Sequence, residues 1–397
     1  MNEHTQKAKK GSWLARVLSS EKYGAFTVPV FCIVLTILAS SVLLLVIGKN
    51  PITAFVAFLQ GSGIIPKPTY GGGQNMLGDF LNYLSFLAPM ILSALAFVAG
   101  FKSGLFNIGI SGQMLMAGFT ASVLVGYTEL PAFIAIPLVV IVGIVVGTLM
   151  GAIVGFLKHK FNIHEVVSTI MFNYIVQYLV AFFINVKFMN AITRSSKPIS
   201  KAASLTLKSG TLSIPLGILV AVAAALIIGH YLDKRVGGFE IKAVGSNKKA
   251  ARYIGINVGK RTIQAMAISG ALAGLAGVCY YCGYYSTITP NVLPGMGYDG
   301  ITVALLGNSS PVGCIFAGAL VSVFQFGANY MSSTMAVPKE ISSLITGILL
   351  LFSACGAYFQ YQATRSIQKQ EDAEIIKKAQ KEIAEKNQEA THGKDNH

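Results

Sequence analysis

The chain has 397 residues, of which 53% are hydrophobic and only 12% are charged, and its formal net charge is +15. Because an average soluble domain carries about 25% charged residues, this composition excludes an ordinary cytosolic enzyme and an intrinsically disordered protein. A soluble fold would have too little polar sequence here to cover its apolar residues. We therefore infer that the chain is embedded in membrane lipid.

Ten apolar runs are candidate membrane-spanning helices, since a spanning helix needs about 20 apolar residues. They cover residues 26–48, 81–101, 110–128, 132–157, 165–186, 212–232, 262–284, 297–306, 311–331 and 340–360. The predicted fold class is therefore all-α, a polytopic membrane protein with about ten transmembrane helices. The run 297–306 predicts a short or broken helix. The first run is too long for the core of a signal peptide, and we interpret it as a retained anchor helix.

The basic residues lie in the gaps between these runs, where the positive-inside rule applies. With the N-terminus inside, 23 Lys and Arg residues fall on the cytoplasmic side and eight fall outside. This distribution predicts that both termini are cytoplasmic. A nucleic-acid-binding protein would instead carry basic stripes on a soluble surface, so we expect no nucleic-acid partner.

The predicted organisation has three parts: a cytoplasmic N-terminal segment (1–25), a transmembrane domain (26–360) and a charged cytoplasmic tail (361–397). Within the membrane domain, 49–80 and 187–211 are predicted extracellular loops and 233–261 is a predicted cytoplasmic loop. The segment 187–211 opposes the positive-inside trend, because it carries five basic residues and no acidic one. The segment 233–261 is more densely basic and lies one span away, so it decides the predicted orientation.

Glycines recur every four residues in one apolar run and would lie along one face of its helix. They are Gly143, Gly147, Gly151 and Gly155, and Gly270 and Gly274 repeat the spacing in a later run. Small residues on one face allow helices in lipid to approach closely, so we predict helix packing there. A sliding surface for a conformational cycle is the alternative, and the two are compatible.

No sequence motif indicates an enzyme. The nearest approach to a phosphate-binding P-loop is Gly255-Ile-Asn-Val-Gly259-Lys260-Arg261, which has the wrong spacing and lacks the Ser or Thr that would meet magnesium. The spacing of Cys279 and Cys282 is that of a redox motif, but no βαβ pattern surrounds it, so we predict packing residues. We expect neither a cofactor nor a metal in this chain.

Ionisable groups inside a bilayer are costly and therefore mark functional sites. Asp79, Glu129, Asp299 and Glu340 all lie near the predicted ends of apolar runs. No acidic residue is clearly in the middle of a predicted helix, which argues against a proton-coupled or sodium-coupled pump. The pattern favours a pathway that is lined by uncharged polar groups and driven by another subunit.

Uncharged polar groups interrupt the apolar sequence at 106–113. Amides there offer hydrogen-bond donors and acceptors, and Gly109 and Gly112 permit a broken helix, which at membrane depth is tolerated only where it is buried or lines a cavity. The candidate pathway residues are Phe106, Asn107, Ser111, Gln113, Asn173 and Gln177, and further polar positions are Asn308, Gln325 and Asn329. The alternative for each is an interhelical hydrogen bond.

The cytoplasmic loop 233–261 is too long for a tight turn. Residues 250–254 predict a short helix that ends at Gly255. Such a helix, with the aromatic residues Phe239 and Tyr253 nearby, suits docking on a peripheral protein. Contact between the basic residues and anionic lipid is the alternative.

Four separated blocks resemble the permease subunits of bacterial nucleoside ABC importers, within the wider branched-chain amino acid/ribose permease family. They are GLFNIGISGQMLMAGF (104–119), EVVSTIMFNYI (165–175), GFEIKAVGSNKKAARYIGI (238–256) and GMGYDGITVALLGNSSPVG (295–313). The resemblance covers roughly residues 26–360, and the block 165–175 resembles the larger of the two permeases in these systems.

The resemblance implies a multi-pass protein of the bacterial cell membrane with three kinds of partner. These are a second, related permease, cytosolic ATP-binding cassette subunits that hold ATP and magnesium, and an extracellular substrate-binding lipoprotein. The block 238–256 would be the region that couples to the ATPase, with Gly238, Phe239, Glu240, Arg252, Tyr253 and Gly255 as its candidate residues. The chain departs from the family pattern at Ser111, where an acidic residue or Ala is frequent, and at His164, where Asn is.

The leading functional hypothesis is therefore the transmembrane subunit of an ATP-driven nucleoside importer that works by alternating access. An ABC permease for a simple sugar such as ribose is the nearest alternative. An ion-coupled secondary transporter, which would act without partners, is a further one. A membrane-embedded enzyme would need a nucleophile–base or metal set that the sequence lacks.

Overall fold

The structure is a computed structural model that describes residues 24–70, 75–209 and 212–392. Most of the predicted N-terminal segment 1–25 and the glycines of 71–73 lie outside the described residues. The chain divides into two compact units, one formed by Ile37–Leu350 and the other by Met1–Thr36 with Leu351–His397. In the described part of the smaller unit, the Phe31 ring packs edge-to-face on Phe359 with ring centroids 5.4 Å apart.

Helices account for most of the described chain. They are α1 (Gly24–Val46), α2 (Pro51–Gly61), α3 (Met76–Phe101), α4 (Ile110–Ala121), α5 (Ala132–Phe161), α6 (Glu165–Phe183), α7 (Leu216–Lys234), α8 (Val236–Ser246), α9 (Lys248–Tyr253), α10 (Val258–Val278), α11 (Met296–Leu306), α12 (Pro311–Met335), α13 (Lys339–Ala354) and α14 (Gly356–His392). Three of them continue as short π-helices, at Ser122–Gly126, Ile184–Phe188 and Cys279–Tyr285.

Eight helices of the described chain are long and apolar enough to cross a membrane. Two of the ten predicted spans are shorter than this: the run 110–128 forms a helix over Ile110–Gly126, and the run 297–306 forms the 11-residue α11. The prediction of a short helix at 297–306 is confirmed. The count of ten crossings and the cytoplasmic position of both termini stay predictions.

The segment 49–80, predicted as an extracellular loop, contains the apolar helix α2. The Asn50 side chain caps this helix by accepting a hydrogen bond from the Ile52 amide at 2.9 Å, and Pro51 occupies its first turn. Phe58 packs edge-to-face on Phe324 of α12, with centroids 5.4 Å apart. Eleven residues are too few for a span, so counting apolar residues missed this helix.

Two small antiparallel strand pairs lie between α6 and α7, and the second one extends into the start of the run predicted as a span at 212–232, so that α7 begins only at Leu216. Strand β1 (Met189–Asn190) pairs with β2 (Ser195–Ser196), and β3 (Thr206–Ser209) pairs with β4 (Leu212–Pro215). Backbone amides of this segment bond to the end of the α10 extension, for example Leu205 to the Cys282 carbonyl at 2.9 Å. The segment 236–253 lies at the opposite end of α7, as the predicted orientation requires.

Helices α5 and α10 touch backbone to backbone along the predicted glycine face, which we call the glycine seam (Gly143, Gly147, Gly151, Gly155, Gly270 and Gly274). A Cβ atom on Gly147 would lie 2.8 Å from the Gly274 Cα and would overlap the Gly270 carbonyl oxygen. A Cβ atom on Gly274 would overlap the Gly143 carbonyl oxygen in the same way. The prediction of close helix packing is confirmed, because no larger residue fits at these positions without displacing a helix.

Helix α3 lies at the centre of the larger unit. Every residue from Leu87 to Gly100 is buried, and α3 packs against α7, α10, α11 and α12. The helix is apolar on all sides, as expected for one surrounded by protein. Cys279 and Cys282 are buried free thiols beside it, which agrees with their predicted role in packing.

We predict that Gly147→Ala lowers the free energy of unfolding by at least about 2 kcal/mol, because its methyl group would overlap the α10 backbone. The matched control is Gly229→Ala in α7, whose Cβ would meet its nearest neighbour, Pro311, at 3.7 Å. That change removes a flexible residue from a helix and should be neutral or stabilising. Melting temperatures of the two detergent-purified variants test this difference. Equal melting temperatures would contradict the close backbone packing at the glycine seam.

Candidate functional site

The break predicted at 106–113 lies over residues 102–109, between α3 and α4, and Gly112 falls inside α4. Asn107 organises the break. Its Oδ1 accepts a hydrogen bond from the Gly109 amide at 2.9 Å. Its Nδ2 donates to Gln113 Oε1 at 3.1 Å and to Ser269 Oγ of α10 at 2.8 Å. Asn107 is fully buried, and the bonds satisfy both ends of its amide. The irregular backbone is therefore held by side chains inside the protein.

Asn173 of α6 is the second centre of this network. Its Oδ1 accepts from the Gly112 amide at 2.8 Å, and its Nδ2 donates to the Ile108 carbonyl at 3.0 Å and the Tyr298 hydroxyl at 3.2 Å. A Cβ atom on Gly112 would lie 2.9 Å from the Asn173 Cα. Four segments, α6, α4, the break before α4 and α11, thus meet at one amide.

Ser111 is also buried, and its hydroxyl donates to the Pro294 carbonyl at 2.9 Å. The backbone of Gly297 in α11 lies so close that a Cβ atom there would overlap the serine hydroxyl. The small side chain at this departure from the family pattern therefore suits a tight contact with α11. The second departure, His164, precedes α6, and its Nδ1 accepts from the Val166 amide at 3.3 Å.

Four of the six predicted pathway residues are buried around the break, and we call them the Asn107 network (Asn107, Ser111, Gln113 and Asn173). Asn107 and Gln113 bond to each other, whereas Asn173 and Ser111 bond to backbone groups of the surrounding segments. The other two predicted pathway residues lie apart. Phe106 packs edge-to-face on Phe97 with centroids 4.8 Å apart, and Gln177 is half-buried and donates to the Asn291 carbonyl at 2.6 Å. These bonds match the interhelical alternative, and contact of the six residues with substrate stays a prediction.

A polar cleft opens between α11, α12 and α13, and we call it the Asp299 cleft. Its volume is about 430 Å³, and it is lined by Asp299, Thr302, Gln325, Ala328, Asn329, Ser343, Thr346, Gly347 and Leu350. The Gln325 side chain is a hydrogen-bond partner of the Asp299 carboxylate. Volumes of roughly 300–1,000 Å³ are typical of small-molecule sites.

The depth of Asp299 in the membrane was not predicted from the sequence. Asp299 lies in the first turn of α11, near a helix end as predicted. However, its partner Gln325 is in the middle of the 25-residue helix α12, so the carboxylate lies near the middle of a span. The sequence feature that could have indicated this depth is an acidic residue inside an apolar helix that is too short to reach both membrane surfaces.

The short helix predicted at 250–254 is confirmed as α9, and α8 precedes it, whereas their cytoplasmic position stays a prediction. Asn247 caps α9 by accepting from the amides of Lys249 and Ala250, both at 3.0 Å. Gly255 follows α9 with a φ of +88°, a left-handed conformation that favours glycine at a helix end. Tyr253 at the end of α9 is 94% exposed.

The six predicted coupling residues fall into two groups. Phe239, Arg252 and Tyr253 are exposed, and Gly255 ends α9 on an open surface. Gly238 and Glu240 instead fix α8 to its neighbours: a Cβ atom on Gly238 would lie 2.6 Å from the Leu232 Cα, and Glu240 forms an ion pair with Arg261 of α10.

Arg261 extends the connection between α8 and the long apolar helices. It also bonds to Gln264, whose Nε2 donates to the Tyr231 hydroxyl of α7 at 2.7 Å. The pair of Glu240 and Arg261 is partly buried, so it is less screened by solvent than a surface pair. Helix α8 is therefore joined to both α7 and α10.

Residues 80–354 match the family described as the branched-chain amino acid transport system / permease component. The chain belongs to this permease family. It is 36% identical over 341 residues to the nucleoside ABC transporter permease protein NupB of Lactococcus lactis, which covers 82% of this chain and 90% of that protein. It is also 36% identical over 337 residues to the guanosine ABC transporter permease protein NupP of Bacillus subtilis, covering 82% of this chain and 92% of that protein.

The permease is also similar to a second, more distant protein of Bacillus subtilis. The guanosine ABC transporter permease protein NupQ is 27% identical over 274 residues, covering 66% of this chain and 84% of that protein. Relatives of the permease thus occur as a pair of related proteins in one organism. As a permease component, the chain is a non-catalytic transmembrane subunit of a multi-pass plasma-membrane transporter.

We predict that Asn107→Ala destabilises the permease strongly, because it leaves the buried Gly109 amide and the Gln113 Oε1 atom without this partner and removes the bond between α10 and the break at Ser269. Each buried polar group that loses its partner costs about 1–3 kcal/mol. Gln177→Ala is the matched amide control, since water can replace a half-exposed hydrogen bond. Melting temperatures in detergent should fall much further for Asn107→Ala, and similar values would argue against the network.

Proposed function

We propose that this permease is the transmembrane subunit of an ATP-driven importer that moves intact nucleosides into the cell by alternating access. The observation that carries the proposal is the 36% identity, over most of both chains, to permeases named for nucleosides and for guanosine. The irregular segment at 102–109, which contains the buried Asn107, supports a transport pathway, since broken helices line cavities in many transporters.

The proposed energy source lies on partner chains. The sequence has no P-loop, so ATP and magnesium would be held by separate ATP-binding cassette subunits. The exposed end of α9, with Arg252 and Tyr253, would seat in these subunits. A second, related permease would complete the pathway, and an extracellular lipoprotein would deliver the substrate.

Contacts within the chain support a route by which α9 could move the spans. Helix α8 is fixed to α10 through Glu240 and Arg261, and α10 is fixed to α5 through the glycine seam. Ser269 on α10 bonds to Asn107, and its hydroxyl donates to the Ala96 carbonyl of α3 at 2.6 Å. Motion of the ATPase would therefore reach the Asn107 network through packed elements.

We predict that the permease, reconstituted in proteoliposomes with its partner permease, ATPase and lipoprotein, takes up radiolabelled uridine only when ATP is supplied. Ribose serves as the competing substrate and should be taken up much more slowly. Proteoliposomes that contain the permease alone are the control. Preferential uptake of ribose would replace nucleosides by sugars as the substrate, and uptake by the chain alone under an ion gradient would contradict the ABC mechanism.

We predict that Tyr253→Ala lowers ATP-driven uptake at least about tenfold while the melting temperature of the permease is unchanged. Tyr253 is 94% exposed, so its loss does not disturb packing, whereas exposed aromatic residues often dominate interfaces. Tyr253→Phe keeps the ring and should retain most of the uptake. Co-purification of the ATPase with each variant measures docking directly, and full uptake by Tyr253→Ala would contradict the coupling role.

A further inference from the structure

The Asp299 cleft contains a carboxylate at a depth where charge is expensive. Among the lining residues, Asp299 is the only ionisable one in the described part of the chain. A charged group inside a membrane protein needs partners that offset its lost hydration. A carboxylate can accept about four hydrogen bonds, and the Gln325 amide supplies donors from one side. The open side of the cleft leaves room for donors from a ligand.

The rest of the lining indicates what kind of ligand would supply those donors. It offers uncharged amides and hydroxyls, including Asn329, which is exposed, and Ser343. Of the described residues, no group of three or more His, Cys, Asp and Glu could hold a metal ion. The amides and hydroxyls of this lining match a neutral ligand that carries several hydroxyl groups.

The short helix α11 places the carboxylate between the two polar features of the permease. On one side, Tyr298 receives a hydrogen bond from Asn173, and Gly297 lies against Ser111. On the other side, Asp299 is bonded to Gln325 in the cleft. The cleft is thus adjacent to the Asn107 network through two neighbouring residues of one helix.

We propose that the Asp299 cleft is a substrate-contacting site, in which the Asp299 carboxylate accepts hydrogen bonds from the adjacent 2′- and 3′-hydroxyls of a nucleoside ribose. Two neighbouring hydroxyls match the two oxygens of one carboxylate, and the amides of Gln325 and Asn329 face the remainder of the ligand. The proposal rests on the proposed function and names the part of the substrate that this site recognises. The open cleft suits weak binding, which a transport pathway needs for release.

Uptake of uridine, 2′-deoxyuridine and 3′-deoxyuridine by the full reconstituted complex tests the proposal. Asp299→Asn keeps the size of the side chain but removes the charge that strengthens the hydrogen bonds to the hydroxyls. We expect the ratio of uridine uptake to uptake of either deoxynucleoside to fall about fivefold from its wild-type value. The lipoprotein is the same in every arm, so its own preference cancels from this comparison.

Asp79→Asn is the matched control, because the Asp79 carboxylate pairs with Lys67 at 2.7 Å and does not line the cleft. It should leave the uptake ratios at their wild-type values. If Asp299→Asn lowers the uptake of all three compounds equally, or of none, the carboxylate does not recognise the ribose and the proposal is overturned. If the wild-type complex imports no nucleoside, the proposed function fails first, so the two failures are distinguishable.

A labelling experiment decides the question if Asp299→Asn does not assemble with its partners. Asn329→Cys puts a thiol at the exposed edge of the cleft, while four of the five native cysteines are buried. In the permease complex without lipoprotein, millimolar uridine should slow maleimide labelling of this thiol severalfold. We expect 2′,3′-dideoxyuridine to give no protection, and equal protection by both compounds would overturn the proposal. The parent chain, labelled in parallel, corrects for the native thiols.

Discussion

The backbones of α5 and α10 touch along the glycine seam, and the positions of the neighbouring helices follow from that contact. In lipid, apolar side chains gain little by leaving the solvent, so helix association depends on close packing and hydrogen bonds. The seam supplies the close packing on one face of α10. Ser269, next to Gly270, supplies hydrogen bonds on another face, to α3 and to the break before α4. Helix α10 is therefore fixed from two sides.

Rigidity at the seam limits where the permease can change shape. Helix α11 lies between two irregular segments. Left-handed backbone occurs at Ser286 and Asn291 before α11 and at Asn308 and Ser309 after it. Non-glycine residues in this conformation cost roughly 1–2 kcal/mol each, and such strain concentrates at functional sites. The strained segments on either side of α11 thus flank the helix that carries Asp299.

Several features were predictable because a local pattern determines them. Four-residue glycine spacing indicated the seam, the polar run 106–113 indicated the broken helix, and Gly255 indicated the end of α9. Each of these depends on residues within one or two turns. The apolar helix α2 was not predicted, because its 11 residues are fewer than the roughly 20 that identify a membrane-spanning helix.

The candidate site was less predictable, because burial and depth are properties of the tertiary fold. The sequence identified Asn107 and Asn173 as polar positions at membrane depth, but it did not show that they bond to a common segment. Asp299 was visible only as a residue near the end of an apolar run. The depth of Asp299 follows from the packing of the short helix α11 beside the middle of α12. A sequence pattern does not show this packing, because it depends on the tertiary fold.

The Asp299 carboxylate also repels molecules that carry a negative charge of their own. Two negative charges a few ångströms apart repel each other by about 4 kcal/mol even at an effective dielectric constant of 20. A phosphate ester in the Asp299 cleft would meet this repulsion, whereas a neutral ligand would not. Phosphorylation of an imported nucleoside in the cytosol would therefore close this route to it. The negative charge of Asp299 would then prevent phosphorylated nucleosides in the cytosol from leaving the cell by this route.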